Sequence, residues 1–310
     1  MRQLRNLVFE GGGVKGIAYC GALDALEKKG MFDGVQRVVG TSAGAIIAAL
    51  VGLRYTPKEC LEVLWDTDFQ SFMDDDFGKV RDAHRLVNDF GWYKGEKFKQ
   101  WMGDLILDKA DDRDVTFKEL EAMAFRDTYI IGADLSTHTS VRFSAEHTPD
   151  AKLVDAVRIS MSIPFFFAAV RGEDGHVYVD GGALNNYAIE IFDHTKYISE
   201  TTSDDKERVI NEQTLGFRLD SETEIAMFRD REPPPTHDIN DFFDYVWHLM
   251  QTACINIQNN RHLRGEDWKR TVYIDTLGVK ATDFGLDDKT KQSLVDSGHN
   301  AVNDFFEKRS

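Results

Sequence analysis

Val35-Gln36-Arg37-Val38-Val39-Gly40-Thr41-Ser42-Ala43-Gly44-Ala45-Ile46-Ile47-Ala48-Ala49-Leu50-Val51-Gly52-Leu53 joins a short β-branched run to a stretch that is apolar on every side. The pattern predicts a strand over Val35–Val39 and a helix over Ala43–Leu53, buried because a helix apolar all round must be covered all round. The turn between them, Gly40-Thr41-Ser42-Ala43-Gly44, reads G-x-S-x-G. Such a turn lifts the Ser hydroxyl out of the sheet, and glycines two residues to either side keep side chains out of a tight corner. The helix begins at the Ser, so its positive end faces any negative charge that develops there. The pattern alone has little specificity; its place between a buried strand and a buried helix gives it weight.

Upstream, Leu7-Val8-Phe9 is another short apolar run, followed by Gly11-Gly12-Gly13-Val14-Lys15-Gly16 and then a helix over Ile17–Lys29 that Lys28, Lys29 and Gly30 close. Strand, helix, strand, helix at this spacing predicts a parallel sheet with helices on both faces. The expected class is α/β, a three-layer sandwich around a mainly parallel sheet. Downstream, Thr56-Pro57-Lys58-Glu59 and Thr116-Phe117-Lys118-Glu119 are capping boxes that start helices. Strands are expected at Tyr129–Leu135 and Val141–Ser144, a helix at Pro149–Met161, and a hairpin from Ala168 to Asp180 turning at Asp174-Gly175. A strand at Thr271–Ile274 precedes a last helix with Leu294, Gly298, Ala301, Val302, Phe305 and Phe306 on one stripe. The irregular Asp66–Tyr93 stretch, with Asp74-Asp75-Asp76, reads as a solvated loop or a lid. Glu200–Arg208 and Arg229–Asp238 read as surface loops or partly disordered stretches. One domain over 1–310 is expected, with a motif-bearing core at about 5–195 and its C-terminal extension at about 196–310.

The chain carries 53 acidic and 37 basic residues, a formal charge of −16. Nucleic-acid binding needs clustered basic surface, so the balance argues against it. Cys20, Cys60 and Cys254 are few, odd in number and outside any metal-ligand spacing, as expected of reduced thiols. No apolar run reaches the eighteen residues a membrane span needs, and Met1–Asn6 lacks a signal-peptide core. The expectation is a cytoplasmic protein, with later export by a route that reads no such signal left open.

Gly11 to Gly16 matches G-x-G-x-x-G, which raises a dinucleotide site. That reading requires an acidic residue at the end of the next strand, near Val39, and the chain has the Gly40–Gly44 turn there instead. Successive glycines opening a helix also expose backbone N–H groups to an anion. If the two Gly-rich turns end neighbouring strands, amide donors and the Ser42 hydroxyl face one another, which is the layout of an oxyanion hole.

The glycine run, G-T-S-A-G some thirty residues on, Arg158-Ile159-Ser160-Met161-Ser162-Ile163-Pro164-Phe165-Phe166-Phe167 and then Asp180-Gly181-Gly182 together resemble the patatin-like phospholipases, from about Leu7 to Asp193. The resemblance implies a Ser42–Asp180 dyad without histidine and an oxyanion hole from the amides of Gly11, Gly12 and Gly13. Lys15, Gly16, Gly40, Gly44, Gly181 and Gly182 support the motifs. Glu10 and Lys15 depart from the residues most usual in the family, and Lys keeps the charge of Arg without its fork. The residues alone do not choose Asp180 over Asp134 or Asp155; the motif does. Burial beside Val177, Tyr178 and Val179 would raise its basicity. Should the dyad fail, His194 is the first alternative base. The three Phe after Pro164 read as a lipid-facing lip or, for most of them, as core, with one or two lining a substrate tunnel for an acyl chain.

The expected activity is hydrolysis of carboxylic esters in phospholipids or lysophospholipids through an acyl-enzyme, with transient membrane contact and without metal or cofactor. Transacylase or thioesterase chemistry at the same dyad, or a silent lipid-binding protein, are the alternatives. An activating partner is a further expectation drawn from the resemblance.

Overall fold

The computed structural model describes residues 3–73, 90–198, 209–230 and 267–308, with a few isolated positions between 232 and 252. Asp74-Asp75-Asp76 and the rest of the lid candidate from 74 to 89, Cys254, residues 200–208 and part of 229–238 lie outside the described residues.

In chain order the strands are β1 (Asn6–Phe9), β2 (Arg37–Thr41), β3 (Gly91–Tyr93), β4 (Asp127–Asp134), β5 (Thr139–Phe143), β6 (Phe165–Phe167), β7 (Val170–Arg171), β8 (Val177–Asp180), β9 (Thr214–Asp220) and β10 (Thr271–Asp275). The helices are α1 (Ala18–Lys28), α2 (Ala43–Gly52), α3 (Pro57–Asp66), α4 (Glu96–Ala110), α5 (Phe117–Ala122), α6 (Leu153–Ser160), α7 (Glu222–Asp230) and α8 (Asp288–Glu307). The main sheet runs β10-β9-β1-β2-β4-β8-β7, with β5 on β4; β3 and β6 pair separately. β10, β9, β1, β2 and β4 are parallel, and β5, β8 and β7 join antiparallel.

The alternation of β1 divides the core. Leu7 and Phe9 face the cluster built with α1, α2 and α8, while Val8 and Val39 face a smaller cluster with Tyr187, Ile189, Ile191 and Phe192. All ten residues of α2 are buried, as its apolar composition requires. Among the closest packings is that of α1 on α8, where a Cβ at Gly21 would meet the Val295 carbonyl oxygen at 1.8 Å. This close approach carries the C-terminal helix onto the sheet.

Several boundaries differ from those expected. β2 covers Arg37–Thr41 rather than 35–39, because its pairing with β1 and β4 runs right up to Thr41, beside Ser42. Ala18 opens α1 after a 3₁₀ turn at Gly13–Ile17. The helix expected over Pro149–Met161 is confined to Leu153–Ser160, since Pro149 and Ala151 carbonyls accept from the first amides of α5 and Lys152 bridges to Thr116. β9 and α4 had no counterpart in the sequence reading.

Candidate active site

A strand has two hydrogen-bonding edges, and β4 uses them unequally. On one edge lies β5, paired from Ile130 to Asp134. On the other, β2 pairs with Asp127–Ile131 and β8 takes over at Gly132–Asp134. β2 and β8 therefore meet end to end from opposite directions. Thr41 stands opposite Ile131 and Asp180 opposite Gly132, consecutive residues whose Cα atoms are about 3.8 Å apart. Ser42 follows Thr41, so chain topology alone brings Ser42 and Asp180 to one spot.

The backbone at Ser42 has φ 53° and ψ −126°. For a residue with a Cβ this conformation costs about 1–3 kcal/mol and survives where its surroundings over-determine it. Here they do. The Ser42 N–H donates to Ser160 Oγ at 2.9 Å, and the Ser160 hydroxyl donates to the Ile131 carbonyl at 2.6 Å. Gly40 and Gly44 clear the corner: a Cβ on Gly40 would sit 1.9 Å from the Gly44 oxygen, and one on Gly44 2.4 Å from the Phe9 oxygen. Ser42 is only 3% exposed, and its Oγ faces Met161 Sδ at 3.9 Å.

Burial pushes the Asp180 carboxyl up from 3.8 to about 7, while the Ser42 hydroxyl and the Gly182 N–H pull it back. Gly182 donates to Asp180 Oδ1 at 2.7 Å, and the Asp180 N–H is held by the Ser162 carbonyl at 2.9 Å. A Cβ on Gly181 would meet the Ile131 oxygen at 2.4 Å, so the D-G-G turn lies against β4.

The glycine turn reaches the same place from β1, the parallel neighbour of β2. A Cβ on Gly11 would lie 3.0 Å from Ser42 Cβ, and Gly16 packs against Ala43. The three amides are not equivalent. Gly11 N–H already donates to the Asn186 carbonyl at 3.2 Å, and Asn186 Nδ2 returns a bond to the Gly11 oxygen. Among the described residues, no hydrogen bond engages the amides of Gly12 and Gly13. Gly13 has φ +59° and is covered by Ala281, whose carbonyl accepts from Val14 at 3.1 Å. Of the three glycines expected to supply amides, Gly11 is thus tied to Asn186 and differs from Gly12 and Gly13.

Behind the turn, Glu10 is buried, accepts from Leu219 N–H at 3.1 Å and lies 3.6 Å from Arg218. Arg218 in turn grips Asp220 through two bonds of 3.0 and 2.7 Å. Burial raises the Glu10 carboxyl and Arg218 opposes it. Lys15 Nζ reaches the Leu219 carbonyl at 3.4 Å, so this side chain ties the turn to β9.

Residues 7–193 match the sequence model of the patatin-like phospholipases. The chain belongs to that family. It is 30% identical over 306 residues to the uncharacterized protein YqhO of Bacillus subtilis, covering 94% of each chain. It is 26% identical over 187 residues to a protein of invertebrate iridescent virus 6 named as a probable lipid hydrolase, covering 60% of this chain and 62% of the other. VipD from Legionella pneumophila has a similar fold, with a TM-score of 0.61 at 16% identity, over 99% of this chain and 67% of VipD. Family membership and the viral relative support lipid hydrolase activity.

The aspartates and the histidine weighed as alternatives to Asp180 lie elsewhere. Asp155 pairs with Lys99 at the surface. Asp134 accepts from Ser136, Thr137 and His176, three residues along β4 from Ile131. His194 follows Asp193, which binds Arg270 and Asn211 at the amino ends of β10 and β9, the end of the parallel strands remote from Ser42. Ser160 and Asn186 complete the surroundings of Ser42 and were given no role from sequence. Ser160 stood inside a quoted motif, but only the pairing of Ser42 N–H with its side chain reveals what it does. Among the described residues no cluster of three metal-ligating side chains stands together, and no helix is long and apolar enough to cross a membrane.

Proposed function

We propose that the chain is a phospholipase A or lysophospholipase acting on carboxylic esters of phospholipids through Ser42 and Asp180. The end-to-end meeting of β2 and β8 on one edge of β4 carries this reading, because it sets a strained serine beside a buried carboxyl. Ser42 Oγ attacks the acyl carbonyl carbon and Asp180 takes the hydroxyl proton. A carboxyl raised to about 7 is matched to that task near neutral pH, where an ordinary carboxylate is too weak a base. The tetrahedral oxyanion receives the amides of Gly12 and Gly13 at the start of a helical turn. Collapse breaks the ester C–O bond, and the leaving alcohol, a lysophospholipid or its glycerol-phosphate core, takes the proton from Asp180. Water then attacks the acyl-enzyme with Asp180 again as base, releasing the fatty acid and restoring Ser42.

Every role falls to a group of the chain itself. The test is lipid mass spectrometry of a mixed phospholipid extract treated with wild type and with Ser42→Ala. Fatty acid and lysolipid should appear with wild type and fall by about a thousandfold or more in the variant. Equal release from both would remove Ser42 from the reaction.

A further inference from the structure

Of the eight non-glycine residues at positive φ among the described residues, three are large and apolar: Phe90 (61°), Phe165 (65°) and Leu277 (55°). A bulky side chain in this region is a true outlier. All three are also well exposed, at 45%, 44% and 50%. The chain therefore spends backbone strain to hold apolar groups outside the core, and an observed outlier of this kind is a lead to function.

Phe90 and Phe165 lie on neighbouring chain segments. Gly91 of β3 stands opposite Phe165 of β6 in a parallel pair, so Phe90 is one register step from Phe165. The next two rings behave otherwise: Phe166 and Phe167 are 5% and 3% exposed and pack with Tyr93. Half-buried Trp92 lies on the same short strand, and the exposed Arg171 holds its guanidinium 5.6 Å from the Phe90 ring centroid. Phe165 is four residues from Met161, whose sulfur faces Ser42 Oγ, and Asp180 is bonded to Ser162 between them. Phe166 stacks on Phe284 at 5.2 Å, in the loop after β10 that begins near Leu277 and covers Gly13 through Ala281. The Phe165 ring thus stands on the segment whose Met161 faces a serine only 3% exposed.

We infer that Phe90 and Phe165 form a docking surface that inserts into the interfacial region of a phospholipid layer beside the Ser42 site. The inference rests on the lipid reading of that site and adds where the lipid layer is met. The chemistry fits a zwitterionic layer. Rings favour the boundary between headgroup and acyl chain, and Arg171 beside the Phe90 ring can reach lipid phosphate. A chain of net charge −16 draws no general attraction from anionic lipid.

Docking is measured in the Ser42→Ala background, where no turnover occurs, by co-sedimentation with phosphatidylcholine vesicles. Phe90→Asn and Phe165→Asn are chosen because Asn accepts positive φ more readily than Phe. Each substitution should lower vesicle partitioning on the order of tenfold, and the pair on the order of a hundredfold. Melting temperatures should stay level or rise, because strain is relieved. A double variant that partitions within about twofold of its parent overturns the inference. So does a fall in its melting temperature, which makes the rings structural. Binding confined to phosphatidylserine vesicles and lost in high salt overturns it as well, since charge and not the rings would then do the work. Ser42-dependent release of fatty acid from a dispersed ester is measured alongside. If that persists while docking ignores the rings, only the surface assignment falls.

Discussion

Replacing Asp180 by Asn should strengthen the fold while ending catalysis, and the gain should depend on pH in a way that reports the carboxyl. In the folded chain burial raises this group from 3.8 to about 7, so folding favours its protonated form. Below about pH 4 the carboxyl is protonated in both folded and unfolded chains and costs nothing. Between about pH 4 and pH 7 the unfolded chain ionises and the folded chain does not, and the cost of folding grows. Above the folded value it is complete. At about 1.36 kcal/mol per pH unit the full cost is about 4 kcal/mol. Asn keeps the shape, and its side-chain oxygen still accepts from Gly182. The assay is denaturant unfolding of wild type and Asp180→Asn at a series of pH values. The stability difference, variant minus wild type, should climb by about 2–4 kcal/mol from pH 4 to pH 8 and then level off. A flat difference would mean that Asp180 titrates as an ordinary carboxyl, and the argument for its basicity would go with it.

Two other substitutions probe the surroundings of the pair, and a third tests a buried ion pair remote from it. Ser160→Ala removes the acceptor of Ser42 N–H and the donor to Ile131; it should cost about 1–3 kcal/mol of stability and lower kcat more than it raises KM, and an unchanged kcat would show that the bond does not position the nucleophile. Gly44→Ala would drive a methyl to 2.4 Å from the Phe9 carbonyl oxygen, a backbone atom that cannot swing aside, so a loss above about 3 kcal/mol is expected, read as a lowered melting temperature. Asp193→Ala strips the buried Arg270 of two bonds and should cost about 3 kcal/mol by denaturant unfolding, without altering the pH dependence of any activity.

The half of the sheet that holds Ser42 was legible because its signals are local. A glycine pair around a serine, a capped helix and a hairpin turn each declare themselves within a few residues, and β1, α1, α2, β8 and α8 fall where those signals stand. β9 did not declare itself. Its sequence, Thr214-Leu215-Gly216-Phe217-Arg218-Leu219-Asp220, carries two charges, yet all seven residues are buried. Arg218 and Asp220 are tolerable there because they satisfy each other and Glu10, a partner some two hundred residues away that no local window contains. The same limit applies to the site. Asp180 could be picked from Asp134 and Asp155 only through the D-G-G motif, because its nearness to Ser42 follows from two strands sharing one edge of β4. The engagement of Gly11 by Asn186, and the separate fates of Phe165, Phe166 and Phe167, are likewise products of tertiary packing. The three rings are identical in sequence terms; packing with Tyr93 and Phe284 buries Phe166 and Phe167, while Phe165, at φ 65°, stays exposed.

The dyad is tested most directly by the rate at which a fluorophosphonate labels Ser42, since that reaction needs the activated hydroxyl and the oxyanion site but no lipid surface. Labelling should occur on Ser42, reach half its maximal rate near pH 7 as Asp180 ionises, and slow by about a hundredfold or more in Asp180→Asn. Labelling that is indifferent to both pH and Asp180, or that falls on another residue, would contradict it.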